Sequence, residues 1–254
     1  MVAGLAFLAT AVATVFAQAT GVRWSRTRAP HQGVWTFALA LFALASAALA
    51  TGEATQWDEG TFRVFYLLGA VLNVPWLALG TIYLLFGRRV GNPTRLGLLV
   101  FTGFACGVIL AAPIHGAIAP FGGIPVGKDH FGALPRVLAA VGSGVGALVV
   151  FAGAAWSAVR FARRHSAGSG SLAAGNALIA LGTLVLASGG LLQGVVGQDE
   201  AFVISLAAGI TVIYAGFVVA SGGRRVRSDS SRRTTLPASV RGNASTTSTR
   251  VGSL

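Results

Sequence analysis

Four uncharged polar side chains carry most of the chemistry this sequence offers inside otherwise apolar stretches: Tyr66, Asn73, His115 and Gln193. A phenol, two carboxamides and an imidazole supply hydrogen-bond donors and acceptors without fixed charge, a set suited to a small neutral or amphipathic ligand. Asn73 stands in Asn73-Val74-Pro75-Trp76. Pro75 lacks an N–H and frees the carbonyl four residues earlier, at Val71, so a kink is expected there. Asn73 then either bonds to a neighbouring helix or faces a cavity beside the kink. Tyr66, seven residues before it, falls on the same face of an α-helix. Counted at about 1.5 Å per residue, Tyr66, His115 and Gln193 lie at similar depth, roughly 12–14 Å from mid-span. In one layer they would form a vestibule; equally, such residues serve as interface anchors or interhelical bonds.

Other chemistries are thinly supplied. There is no HExxH, P-loop, GxSxG or CxxC pattern, and no catalytic residue stands out. His115 and His130 are the histidines that a metal or haem would use, and two of unknown separation assign neither cofactor. The single cysteine, Cys106, excludes an internal disulfide and reads as a small core residue. No Asp, Glu, Lys or Arg falls in the central part of any apolar run, which argues against proton relays, ion-coupled pumps and voltage sensors. The one lysine, Lys128, lies between runs, which removes a retinal Schiff base.

The elements that must position these groups are long and apolar. The stretch 57–89 opens on Asp58-Glu59, continues from Arg63 to Gly87 without a further charge, and closes on Arg88-Arg89, with Asn92-Pro93 marking the turn of the basic loop that follows. A helix needs about 20 residues to cross a hydrocarbon core of roughly 30 Å, so this segment spans a bilayer. Its relatives within the chain are Val2–Thr20, Val34–Thr51, Leu96–Ile118, Arg136–Val159, Leu172–Val196 and Ala201–Ala220. With 54% hydrophobic and 10% charged residues, a water-soluble domain of 254 residues would lack the polar surface to cover itself. The fold expected is an all-α integral membrane protein with seven transmembrane helices over residues 1–220, followed at 221–254 by a disordered, basic Ser/Thr/Arg-rich tail.

Charge orients the bundle. Loops after the first, third and fifth runs, together with the tail, hold sixteen arginines and one acid, Asp229. The opposite loops hold Arg63, Lys128 and Arg136 with six acids. Cytoplasmic loops collect Lys and Arg, so the N-terminus is expected outside and the C-terminus inside. Ala17-Gln18-Ala19 resembles a signal-peptidase site, but no basic residue precedes the first run and Arg23, Arg26 and Arg28 follow it, the charge order of an uncleaved helix. The same pattern explains the net charge of +12 without nucleic acid. The Ala, Gly, Val and Arg usage points to a GC-rich bacterial genome, hence a multi-pass protein of the bacterial plasma membrane.

Asp58-Glu59 before the third run returns as Asp199-Glu200 before the seventh, and Arg88-Arg89 as Arg224-Arg225. Two parallel triplets joined by an inverting fourth span, a 3+1+3 repeat, would give this echo; so would simple alternation of loops. That topology is similar to the one found in small sugar transporters, a resemblance carried by no motif. Gly142-Ser143-Gly144-Val145-Gly146 and Gly189, Gly190 and Gly194 mark faces for close helix packing, within the chain or against a second copy or another membrane protein. The tail arginines suit anionic lipid headgroups, with serines and threonines between them open to phosphorylation. The leading expectation is a protein that binds or passes a small neutral or amphipathic molecule on the non-cytoplasmic side, without buried-charge coupling. A membrane scaffold or assembly partner is the rival, and a His-dependent haem or metal oxidoreductase the third.

Overall fold

A computed structural model describes the backbone of residues 2–118, 123–163, 169–196 and 199–235, with the side chains of all these except 169, 191–196 and 222–235. Among the described residues there are helices and no strand. The long ones are α1 (Val2–Thr27), α2 (Pro30–Thr55), α3 (Glu59–Ala111), α5 (Ala133–Ala162), α6 (Ser169–Val196) and α7 (Asp199–Thr235); a single turn, α4 (Gly127–His130), lies before α5. Six are long and apolar enough to cross a membrane. This is a helical membrane protein with six to seven such segments, the count turning on α3.

Straight, the 53 residues of α3 would run about 80 Å. Instead Gly87 takes φ 71° and ψ −166°, a backbone that only glycine adopts freely, and the helix folds back on itself. The contacts prove the hairpin: Arg63 donates to the Ile109 carbonyl, Trp76 Nε1 to Thr102 Oγ1 at 3.2 Å, and the Tyr83 hydroxyl to Asn92 Oδ1 at 2.9 Å. The turn is therefore not at Asn92-Pro93, as the sequence suggests. Pro93 sits inside the returning arm. That arm ends at Ala111, short of Ile118, because Ala112 precedes Pro113 and is held extended (φ −63°, ψ 131°).

Spans successive in the chain alternate in direction, counting the two arms of α3 separately. Thr36 meets Thr20 between α2 and α1, and the Trp35 indole donates to the Leu77 carbonyl between α2 and the first arm of α3. α5 runs parallel to that first arm: Gly142 lies on Val71, Gly146 on Val74-Pro75 and Gly153 on Thr81. α6 and α7 form an antiparallel pair in which Gly175 meets Gly216 and Gly182 meets Gly209, backbone to backbone. The last helix closes on the first, with Phe16 packed between Tyr214 and Phe217. The result is a ring of α1, α2, the first arm of α3, α5, α6 and α7, with the second arm of α3 on its outside. Leu96, Val100, Phe104 and Leu110 of that arm are exposed, as expected for a surface facing lipid.

α7 continues through Thr235, past the Ala220 boundary and into the stretch 221–254 read as a disordered tail; residues 236–254 lie outside the described residues.

Candidate functional site

The first arm of α3 contains a π-helical segment, Tyr66–Leu72, directly before Asn73 and Pro75. Here the Asn73 N–H bonds to the Leu68 carbonyl, five residues back. Pro75, three residues past the end of that segment, has no N–H to give the carbonyls behind it. Beside it, the Ser143 hydroxyl of α5 donates to the Ala70 carbonyl. Gly142 and Gly146 allow that approach: a Cβ on either would come within 2.9 Å of backbone at Val71 or Val74. The glycines around Ser143 thus bring a hydroxyl to a carbonyl of the π segment. A wider π turn also rephases the helix, so the seven-residue spacing of Tyr66 and Asn73 no longer places them on one face.

Above this point the acidic end is filled. Phe62 is fully buried, stacked on Phe131 (centroids 5.1 Å apart, planes at 19°) and edge-on to His130 at 5.4 Å. Tyr66 is buried against Phe131, at 4.9 Å, and under the backbone of Gly127. The loop that brings these residues is tied down twice. Asp199 accepts from the Ile124 N–H at 2.9 Å, and His115 and His130 exchange bonds: His115 N–H to the His130 carbonyl at 3.0 Å, His130 Nδ1 to the His115 carbonyl at 3.1 Å. A carbonyl only accepts, so the His130 Nδ1 carries its hydrogen.

Of the four sequence candidates, Tyr66 and Asn73 are buried in helix contacts, while His115 is exposed on the loop after Pro113. Tyr66, Asn73 and His115 do not line the cavity at the basic end. Gln193 lies on α6, but its side chain falls outside the described residues. No group of three or more His, Cys, Asp or Glu among the described residues gathers as metal ligands would.

The basic end is different. There the ring encloses a cavity of about 610 Å³ to which every ring helix contributes. Phe16 comes from α1, Trp35 and Leu39 from α2, Leu77, Thr81 and Leu85 from α3, Val150, Ser157 and Arg160 from α5, Asn176 from α6, and Ile213 and Phe217 from α7. Trp35 acts as a strut. Its indole bonds to the Leu77 carbonyl at 3.2 Å and its Cδ1–Nε1 edge lies against Gly80, where a Cβ would collide with it. Asn176 spends an N–H on the Leu172 carbonyl at 2.7 Å, leaving its oxygen as an acceptor in the wall. Arg23 of α1 sits over the outer part of the wall, its guanidinium 4.3 Å from the Phe217 ring centre and bonded to Ser221. The polar groups are few and set on an apolar surface, the composition of small-molecule sites.

Most other hydroxyls in the helices are accounted for locally. Thr10, Thr14, Thr20, Thr36, Thr102, Thr183 and Thr211 each donate to the carbonyl four residues back. Sequence reasoning missed the cavity because its wall is Leu, Ile, Val, Phe and Trp, indistinguishable by type from core. The available signal was Thr81, Ser157 and Asn176, each within about two turns of a basic helix end.

No protein-family model matches the sequence, no curated protein matches it, and no solved structure matches the fold.

Proposed function

We propose that this protein binds a small amphipathic molecule in the cavity at its basic end. One observation carries this: a hollow of about 610 Å³ persists among helices that elsewhere touch backbone to backbone. Protein interiors leave few voids larger than a water molecule, and a cavity of this size with a mostly apolar wall is that of a ligand site. In this reading α3 counts as two spans, giving seven with the N-terminus outside and the C-terminus in the cytoplasm of a bacterial plasma membrane. The cavity then opens inward, opposite to the side on which the polar residues alone suggested a vestibule. The order of neighbours around the ring supports a 3+1+3 arrangement. Exchanging the first three spans for the last three turns each adjacent pair into another adjacent pair. A cavity closed at one end by aromatic packing suits binding, or one state of an alternating passage that needs no ion coupling.

The test is small-molecule mass spectrometry on protein purified in mild detergent, beside a Leu85→Trp variant. Leu85 is half-buried on the wall, so a larger ring there takes cavity space without breaking the core. An amphipathic compound present in wild type and lost in the folded variant supports the proposal; equal recovery in both overturns it.

The scaffold reading keeps one specific observation. Gly142, Gly146 and Gly189 are used up inside the ring, but Gly97, Gly103 and Gly107 on the outer arm of α3, and Gly144 on α5, have open space beside them. A helix of a second copy or of another membrane protein would seat there; a stable partner recovered from mild detergent and lost on Gly103→Leu would favour it.

A further inference from the structure

The cavity wall carries one charged residue among those described, Arg160, and no carboxylate. We infer that the ligand is a single-chain amphipathic anion, its acid group at Arg160 and its chain running inward along the apolar wall. This rests on the cavity being a binding site. Three features of the wall support the sign and the polarity of the ligand.

The first is position. Val150, Ser157, Arg160 and Phe161 follow one another along the cavity face of α5, so the wall passes from apolar at Val150, through a hydroxyl, to a cation at the basic end. A ligand matched to that gradient has its charge at the rim and its hydrocarbon toward the Ser143 contact. The second is availability. Arg23, on the far side of Phe217, is held by that ring and by Ser221. Arg160 makes no hydrogen bond or ion pair among the described residues, leaving its five N–H donors for an oxyanion, which a guanidinium grips in two-point fashion. The third is selectivity. The other polar groups of the wall, Thr81, Ser157 and Asn176, are neutral, so a cationic ligand finds no counter-charge and meets Arg160 at entry.

Native mass spectrometry of the intact protein released from detergent gives the test, with decyl phosphate and decanol as probes of equal chain length. Wild type is expected to bind decyl phosphate at least tenfold more tightly than decanol. Arg160→Gln is expected to remove that preference while leaving decanol binding unchanged, and Arg160→Lys to restore part of it. Arg160 is exposed, so neither change threatens folding. Leu85→Trp should weaken both probes. If wild type binds the two equally, or Arg160→Gln weakens both alike, the anion assignment falls while the cavity reading stands. Binding of two-chain phosphatidylglycerol in preference to decyl phosphate also overturns it. If neither probe binds and Leu85→Trp changes nothing, the cavity reading itself fails.

Discussion

At the acidic end of the ring, Phe62, Tyr66, Phe131 and Ile124 fill the space between helices; at the basic end, Phe16, Trp35, Leu39 and Phe217 surround a hollow. Both sets are large and apolar, so the difference does not lie in the composition of the spans. It lies in what connects them. The long acidic-side connection folds inward and places Ile124 and Phe131 over the helix ends, fixed by Asp199 and by the His115–His130 exchange. The described basic-side connections are short: Arg28 and Ala29 join α1 to α2, and Gly87 turns α3. They bring arginines and no apolar plug. One end is closed by a loop and the other is left open to a ligand.

The largest effect separating the two ends should come from truncating side chains in each. Phe62→Ala removes a fully buried ring with three aromatic neighbours and should cost about 3–5 kcal/mol. Leu85→Ala, on a wall that already faces space, should cost less than about 1 kcal/mol. Thermal or denaturant unfolding in one detergent measures both. Equal losses would mean the hollow is packed in solution and the ends are alike.

The boundary between the ends lies at Pro75, beside the bond from Ser143 to the Ala70 carbonyl. Ser143→Ala removes that hydroxyl and should cost about 1 kcal/mol, the scale of hydrogen bonds between membrane helices. Pro75→Ala returns a backbone N–H to the first arm. If the serine answers the proline, the loss on Ser143→Ala should shrink in a Pro75→Ala background. Additive losses in that double-mutant cycle would break the link.

Much of this organisation was legible in the sequence, and the failures have physical causes. Segment length and the separation of acids from arginines found the helices and their ends, because lipid allows few alternatives to an apolar helix. The turn at Asn92-Pro93 was misplaced because proline is tolerated near a helix start, while Gly87 carries the positive φ a tight reversal needs. His115 was counted onto a helix that stops at Ala111, since the residue before Pro113 is pushed out of helical space. The π segment was invisible: nothing in Tyr66–Leu72 announces a five-residue bond. Cavities escape sequence reading more generally, because an apolar residue facing a void and one facing a neighbour are the same letter.

The smallest predicted effect concerns how the sealed end starts. Asp58 caps α3, accepting from the Thr61 N–H at 3.0 Å and the Thr61 hydroxyl at 2.6 Å. These bonds, the hydroxyl's first, hold its carboxyl below the ordinary carboxylate value. A carboxyl with a lowered folded value stabilises the protein above its unfolded pKa, and the contribution is lost as pH falls through the folded one. Lowering pH from neutral to the acid range should therefore weaken the start of α3 in wild type. Asp58→Asn keeps a capping side chain but removes the titrating group, so its stability should change less over the same range. Asp58 is exposed, so the difference should be small beside that of Phe62→Ala. Amide hydrogen exchange at residues 59–63, measured at neutral and acid pH in both proteins, resolves it. The same pH dependence in wild type and Asp58→Asn would break the link between this cap and the pH response of the acidic end.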